Sequence, residues 1–238
     1  MLYFTTELKT YHIYASDGEM GKIRDLYFDD TQWAIRYAVV DTRKWLPGRR
    51  VLLSPTAFIN LNESNENLEV KYDKEAIRNS PAIPEENPIS KDVEDSLIDY
   101  YGWSRYWIGN ALWGPEYGPL STSKGEEPTK EQMKYDQQMN GQDYDLRSEN
   151  ETINYKVHAD NGKVGRVADM IYDDEQWKIQ YIVVQSNESM VEEEYIVYTP
   201  GDIQSVDWFE EDIYVKGSLE EMKQSKLYKS KEEILSDL

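Results

Sequence analysis

The sequence contains no cysteine and only two histidines among its 238 residues. Without thiols the chain forms neither disulfides nor thiolate metal sites, and it has no thiol nucleophile. No apolar run approaches the roughly 20 residues that a membrane-spanning helix needs. The first residues also lack the basic and apolar stretches of a signal peptide. We therefore expect a soluble, cytoplasmic protein without a membrane span.

Basic side chains are scarce relative to acidic ones, with 26 Lys and Arg against 46 Asp and Glu and a net charge of −20. Phosphate backbones repel such a surface, so we expect no direct binding of nucleic acid. Aromatic residues, by contrast, are abundant, with 19 Tyr and 7 Trp. This bias is typical of proteins rich in β-strands.

An internal repeat is the strongest signal in the chain. Residues 11–40 align without gaps with residues 155–184, and 13 of the 30 positions are identical. Eight shared residues are interpreted as structural: Gly18, Gly21, Asp25 and Trp33 in the first copy, and Gly162, Gly165, Asp169 and Trp177 in the second. The match resumes at Pro55 and Pro200 after a one-residue gap. Duplication of one unit predicts the same fold for both copies.

Each copy has the pattern of short strands. Trp33, Ile35, Tyr37 and Val39 alternate with residues assigned to the opposite face, and the second copy repeats the alternation. An Asp-Asp pair precedes each of these runs, where Asp side chains hold hairpin turns by binding nearby backbone. Several short strands within about 70 residues predict a small barrel.

The residues of the first copy resemble the PRC-barrel family. The resemblance rests on residues 17–26, on residues 29–41 and on the stretch Trp45-Leu46-Pro47-Gly48, which the second copy lacks. This barrel is shared by the photosynthetic reaction-centre H subunit, ribosome-maturation factors and many stand-alone bacterial proteins. The resemblance implies an all-β fold of two small PRC-type β-barrels in tandem, with short peripheral helices and an aromatic-rich inter-domain segment.

Three regions are predicted from this pattern: a first barrel over residues 1–80, a linker over 81–150, and a second barrel with a helical tail over 151–238. Within the linker, Ser90 is predicted to cap a short helix that runs through Tyr101. A Tyr-Gly-Trp segment with several further aromatics follows. Two interpretations stay open for it: the rings pack over a barrel or bridge the two barrels, or they form a groove for a partner protein or an aromatic ligand such as a quinone.

The acidity is unevenly distributed, because residues 1–80 carry a net charge of −1, residues 81–150 of −8, and residues 151–238 of −11. The contrast is greatest in one loop, where the basic residues 43–50 align with the acidic residues 187–194. Either both loops are solvated hairpins without a specific role, or they steer the barrels together, within one chain or head-to-tail between chains.

No catalytic motif is present: the sequence has no Gly-rich phosphate loop, no Gly-x-Ser-x-Gly elbow and no His-Glu-x-x-His. The histidines are not equivalent in the repeat, since His12 aligns with Lys156 and His158 with Tyr14. The Asp-Asp pairs lack the spacing of a calcium-binding loop. We therefore predict no catalytic residue, no cofactor and no metal site.

These observations predict a non-enzymatic module that binds a protein partner or another copy of itself. The resemblance implies two alternatives, an accessory of photosynthetic or other electron transfer and an accessory of ribosome or RNA maturation. The predicted contact surface comprises the basic loop, the aromatic segment and the acidic loop: Arg43, Lys44, Trp45, Arg49, Arg50, Tyr101, Trp103, Tyr106, Trp107, Glu192, Glu193 and Glu194.

Overall fold

A computed structural model of the chain describes residues 1–83, 89–107, 146–186, 194–223 and 226–238. These residues are mostly β-structure and form two curled sheets, each a half-barrel, with a few short helices. The prediction of two β domains is confirmed at this level, and their assignment to the PRC type stays a prediction. None of the helices in the described ranges has the length and apolar character needed to cross a membrane.

Two compact units divide the chain. The first β unit comprises the described residues of Leu8–Arg147 together with Glu175–Trp177. The second β unit comprises Met1–Glu7, Ser148–Asp174 and the described residues of Lys178–Leu238.

The described residues form fourteen strands. In chain order they are β1 (Leu2–Phe4), β2 (His12–Ala15), β3 (Gly18–Asp29), β4 (Ile35–Val40), β5 (Val51–Leu53), β6 (Phe58–Asn62), β7 (Asn67–Val70), β8 (Leu146–Ser148), β9 (Lys156–Ala159), β10 (Gly162–Asp173), β11 (Lys178–Ser186), β12 (Tyr195–Tyr198), β13 (Ile203–Asp207) and β14 (Asp212–Val215). The α-helices are α1 (Thr5–Leu8), α2 (Lys74–Asn79), α3 (Lys91–Tyr101), α4 (Glu149–Thr152), α5 (Leu219–Lys223) and α6 (Lys231–Asp237).

The two sheets have the same topology. The first has the strand order β5-β4-β3-β2-β7-β6, and the second has the order β12-β11-β10-β9-β14-β13. Along both orders the neighbours pair antiparallel, except for the parallel pairs β2–β7 and β9–β14. The repeat of the sequence is therefore a repeat of the fold.

A seventh strand joins each sheet from the other repeat. β1 pairs antiparallel with β10, with Leu2 opposite Asp173 and Phe4 opposite Ile171, and β8 pairs with β3. β1 and β8 lie 144 residues apart, the same offset that relates β3 to β10. The repeats thus exchange their first strands, so residues 1–7 belong to a compact unit different from the one predicted for residues 1–80.

The core of the second β unit collects side chains from both ends of the chain. Phe4 and Ile171 pack in one cluster with residues from β11, β12 and the C-terminal segment: Val183, Tyr195, Tyr228 and Ile234. All six side chains are at most 7% exposed. Burial of this size is the main favourable term in folding, so the exchanged strand is part of what stabilises the unit.

The conserved frame of the repeat includes a tryptophan in a strained backbone conformation. Trp33 and Trp177 have φ values of 61° and 52°, and they lie at the ends of the hairpin turns. The alternation pattern had placed both tryptophans in the strands, which begin only at Ile35 and Lys178. Asp29 holds the first turn as predicted, because its Oδ1 accepts the N–H groups of Thr31 (3.2 Å) and Gln32 (2.6 Å). A bulky residue at positive φ costs about 1–3 kcal/mol, which the burial of the indole offsets.

Gly21 and Gly165 are required by close approach of the backbone, as the repeat predicted. A Cβ atom on Gly21 would lie 2.0 Å from the carbonyl oxygen of Asp41, and one on Gly165 would lie 1.9 Å from that of Gln185. Any side chain at these positions would push the antiparallel neighbour away. The glycines therefore fix where β3 and β10 meet the ends of the strands beside them.

Candidate functional site

A groove of about 500 Å³ lies in the first β unit, between the β2–β3 hairpin and the loop after β4. Its lining combines three residues of the predicted basic loop with residues of the hairpin: His12, Glu19, Met20, Gly21, Lys22, Asp41, Arg43, Lys44 and Trp45. The volume is within the range typical of ligand-binding clefts. The structure therefore places Arg43, Lys44 and Trp45 in one concave surface.

The loop over this groove is fixed at Trp45. The indole Nε1–H donates to the carbonyl oxygen of Met20 at 2.7 Å, which ties the loop to the β2–β3 hairpin. The guanidinium of Arg78 lies over the Trp45 ring, 5.8 Å from its centroid, and adds a cation–π contact. Because the indole is held on one edge and one face, it forms a stable wall of the groove.

Arg49 and Arg50 act differently from the other basic residues of the loop. Arg49 Nη1 donates to the carbonyl oxygen of Arg78 and its Nη2 to that of Ser80, both at 2.9 Å. These carbonyls lie at the C-terminal end of α2, where a cation is favourable. Arg50 pairs its backbone N–H with the carbonyl of Ile83 at 2.7 Å. Both arginines therefore anchor the loop to the chain that follows β7.

The carboxylates of the groove already have partners. Arg43 donates from Nε and Nη2 to the two oxygens of Asp41, at 2.8 and 2.6 Å, and these bonds lower the pKa of Asp41 to about 2. Glu19 accepts from His12 Nδ1 at 2.6 Å, and this hydrogen bond lowers the pKa of Glu19. Neither carboxylate is left to neutralise an incoming cation.

Two ammonium groups remain available. Lys22 and Lys44 are exposed, and among the described residues neither lies within ion-pair distance of a carboxylate. The groove lining contains three cations and two carboxylates, a net charge of +1 with His12 neutral, in a chain whose net charge is −20. The arrangement offers positive charge beside an indole to a ligand that enters from solvent.

In the described residues of the second repeat, the space at the equivalent place is much smaller. The space beside Val164, the equivalent of Met20, is only about 30 Å³ and is lined by Leu219 and Met222 of α5. Leu219 Cδ1 lies 2.8 Å from where a Cβ on Gly162 would be, so the helix is packed directly on β10. Glu194 also lines this cleft, whereas the predicted contact residues Glu192 and Glu193 lie outside the described residues.

The aromatic segment belongs to the core of the first β unit. Trp103, Tyr106 and Trp107 are 7%, 3% and 2% exposed within the described residues, as expected of rings that pack over a barrel. Tyr106 OH donates to the carbonyl oxygen of Ile35. Tyr101 stacks on Trp103 with centroids 4.3 Å apart, and burial raises the pKa of Tyr101 to about 12.

The helix that leads into this segment is formed as predicted. Ser90 Oγ accepts the N–H of Val93, and α3 ends at Gly102, whose φ is +68°. Its inner face carries Glu94, which accepts from Tyr37 OH at 2.8 Å and lies 3.7 Å from Arg36 Nη1. Arg36 Nε also donates to Asp29 at 3.4 Å, so three charged groups, each at most 2% exposed, form one buried cluster. The sequence analysis missed this cluster.

Asp25 and Asp169 each hold the backbone of the next residue. Their Oδ1 atoms accept the N–H of Leu26 and Met170, both at 2.8 Å. Asp169 is fully buried and additionally receives Lys231 Nζ at 2.6 Å and Thr5 Oγ1 at 3.1 Å. This cluster ties residues from both ends of the chain into the second β unit.

The histidines each meet a carboxylate. His12 pairs with Glu19, and His158 Nε2 lies 3.0 Å from Asp212 Oδ1. In the part of the chain that the structure describes, no group of three or more His, Asp or Glu side chains is arranged to hold a metal ion.

Comparison with protein-family models gives no match, and comparison with curated protein sequences gives none either. The resemblance to the PRC-barrel family therefore rests on the residues of the repeat and stays a prediction.

Proposed function

We propose that this chain is a non-enzymatic binding and assembly module whose groove beside Trp45 binds an acidic segment of a protein partner. The observation that carries the proposal is the pair of exposed ammonium groups, Lys22 and Lys44, at a cavity of about 500 Å³. The membership of the two half-barrels in the PRC-barrel family is part of the same proposal.

A protein segment suits the groove better than a nucleic acid does. The chain as a whole carries a net charge of −20, so the surface outside the groove repels a long polyphosphate. An acidic peptide needs only two or three carboxylates opposite Lys22, Lys44 and Arg43, with an apolar side chain against Trp45.

The expected affinity is modest. Exposed ion pairs contribute about 0.2–1 kcal/mol each, and a well-packed aromatic contact adds more. Screening by salt weakens the charged part, because the Debye length falls from about 10 Å at 0.1 M salt to about 3 Å at 1 M. Binding should therefore be salt-dependent and fast to reverse.

Titration of fluorescently labelled peptides, followed by anisotropy, tests the proposal. An acidic peptide with one aromatic residue should bind, and the Lys22→Glu/Lys44→Glu variant should bind it at least about tenfold more weakly. Lys163→Glu/Lys216→Glu, the same charge change at two exposed lysines of the second repeat, is the matched control and should bind normally. Equal binding by all three proteins, or preference for a single-stranded RNA of the same length, would overturn the proposal.

A further inference from the structure

The turn between β13 and β14 presents an aromatic ring to solvent. Phe209 is 90% exposed, the highest value among the exposed large apolar side chains of the described residues. Isolated apolar side chains at a surface are common, but a fully exposed phenylalanine at the tip of a turn is a typical anchor for a protein interface.

The backbone that carries this ring is ordered. Asp207 Oδ1 accepts the N–H groups of Phe209 and Glu210, both at 3.0 Å, and Glu211 closes the turn at a φ of 60°. The hydroxyl of Tyr155 donates to the carbonyl oxygen of Trp208 at 3.4 Å. The ring therefore needs little further ordering before it can bind, which favours its use as an anchor.

Carboxylates surround the ring. Within the described residues, Asp207, Glu210 and Glu211 form no ion pair, whereas Asp212 is bound by His158. We call residues 207–211 the acidic Phe turn. It combines an exposed aromatic ring with three carboxylates that have no cationic partner.

The same turn in the first repeat shows that the ring is not needed for folding. Residues 62–66 form an equivalent turn, in which Asn62 Oδ1 accepts the N–H of Asn65 at 3.1 Å and Glu66 has a φ of 48°. Ser64 stands there in place of Phe209. Because serine supports the turn equally well, the phenylalanine has no structural explanation in its own unit.

We infer that the acidic Phe turn of one copy of this chain occupies the groove beside Trp45 of a second copy. The inference rests on the proposed function and names its partner. The turn offers an aromatic ring and three carboxylates; the groove offers an indole wall and the cations Lys22, Arg43 and Lys44. The two surfaces match in size, because a volume of about 500 Å³ admits a phenyl ring with its neighbours. They also match in charge, because the carboxylates of the turn face the cations of the groove.

Such a contact joins unlike surfaces, so in a pair of copies one keeps a free groove and the other keeps a free turn. A heterologous interface of this kind grows head to tail, into open chains or closed rings, and does not stop at a dimer unless the geometry closes. Association should therefore be dependent on concentration and weakened by salt.

Sedimentation analysis of the full chain from about 10 µM to about 1 mM, at low and high salt, tests the inference. The mean mass should rise with concentration at low salt. Phe209→Ser, which copies the turn of the first repeat, should weaken association at least about 30-fold, and Lys44→Glu should weaken it at least about fivefold. Ile59→Ser removes another exposed apolar side chain, 50% exposed on β6, and should leave association unchanged.

Mixing the two defective variants gives the decisive result. Phe209→Ser keeps its groove and Lys44→Glu keeps its turn, so together they should form a one-to-one dimer that grows no further. A chain that stays monomeric throughout, or association that survives either substitution, would overturn the inference. If the groove still binds acidic peptides in anisotropy while the wild-type chain stays monomeric, the proposed function stands and its partner is a different protein.

Discussion

Replacing Arg36 by methionine would leave the carboxylates of Asp29 and Glu94 in the interior of the first β unit without their cation. In the native chain the guanidinium lies 3.4 Å from Asp29 Oδ2 and 3.7 Å from Glu94 Oε1, and all three side chains are at most 2% exposed. Breaking a buried ion pair by removing one partner costs about 3–5 kcal/mol. That is a large fraction of the 5–15 kcal/mol by which domains are typically stable.

The loss should also depend on pH. Two buried carboxylates without a cation take up protons more readily in the folded variant than in the unfolded chain. Because protons then bind preferentially to the folded state, lowering the pH from about 7 to about 5 should return part of the lost stability. Native protein, whose carboxylates keep Arg36, should show no such gain.

Urea unfolding at the two pH values, followed by tryptophan fluorescence and circular dichroism, measures both effects. Gln180→Met is the matched control, because Gln180 occupies the equivalent position in the second repeat and is only half-buried. It should change the free energy of unfolding by less than about 0.5 kcal/mol. A loss below about 1 kcal/mol for Arg36→Met, or a loss that does not shrink at the lower pH, would refute the reasoning.

Three further substitutions test the residues that line or flank the groove. Gly21→Ala places a Cβ 2.0 Å from the carbonyl oxygen of Asp41 and should cost more than about 2 kcal/mol in urea unfolding. Gly18→Ala, whose Cβ meets nothing closer than 3.6 Å, should cost only about 1 kcal/mol through its φ of +127°, and equal losses would contradict the clash. Arg43→Ala should return the pKa of Asp41 from about 2 towards 3.8 in a carboxyl NMR titration, because the hydrogen bonds that lower it are lost. Since the folded-state pKa is the depressed one, the stability that the pair contributes is present above the unfolded pKa and is lost as the pH falls through about 2; an unchanged pKa would contradict this.

The repeat was predictable because its signals are local. The Asp-Asp turn of the first repeat acts on backbone within a few residues, and Ser90 caps the helix directly after it. The glycines are recognisable because they recur in both repeats, although the carbonyls that they face lie further along the chain. The exchange of first strands was not predictable. Residues 2–8 and 146–152 share only Leu2 with Leu146 and Glu7 with Glu151, and periodicity does not specify which sheet edge a strand will join.

The groove was partly predictable from the contrast between the basic loop of the first repeat, residues 43–50, and the acidic loop of the second, residues 187–194. That contrast could not separate Lys44, which faces solvent, from Arg49, whose partners are carbonyls that only the folded chain brings near. Alternation assigned Arg36 to the strand face opposite Ile35 and Tyr37. The structure buries it because Glu94 on α3 covers that face, and α3 is far away in sequence.

The strand exchange also sets an order of events during synthesis. β1 is synthesised before β10, its pairing partner, and the contact of Met1 with Asp174 spans 173 residues. At a translation rate of about 5–20 residues per second, β10 is synthesised roughly ten to thirty seconds after β1. During this interval Phe4 has no core to enter, so the nascent chain exposes an apolar strand that a chaperone or a neighbouring nascent chain can reach. The second β unit is therefore completed last, although its first strand is made first.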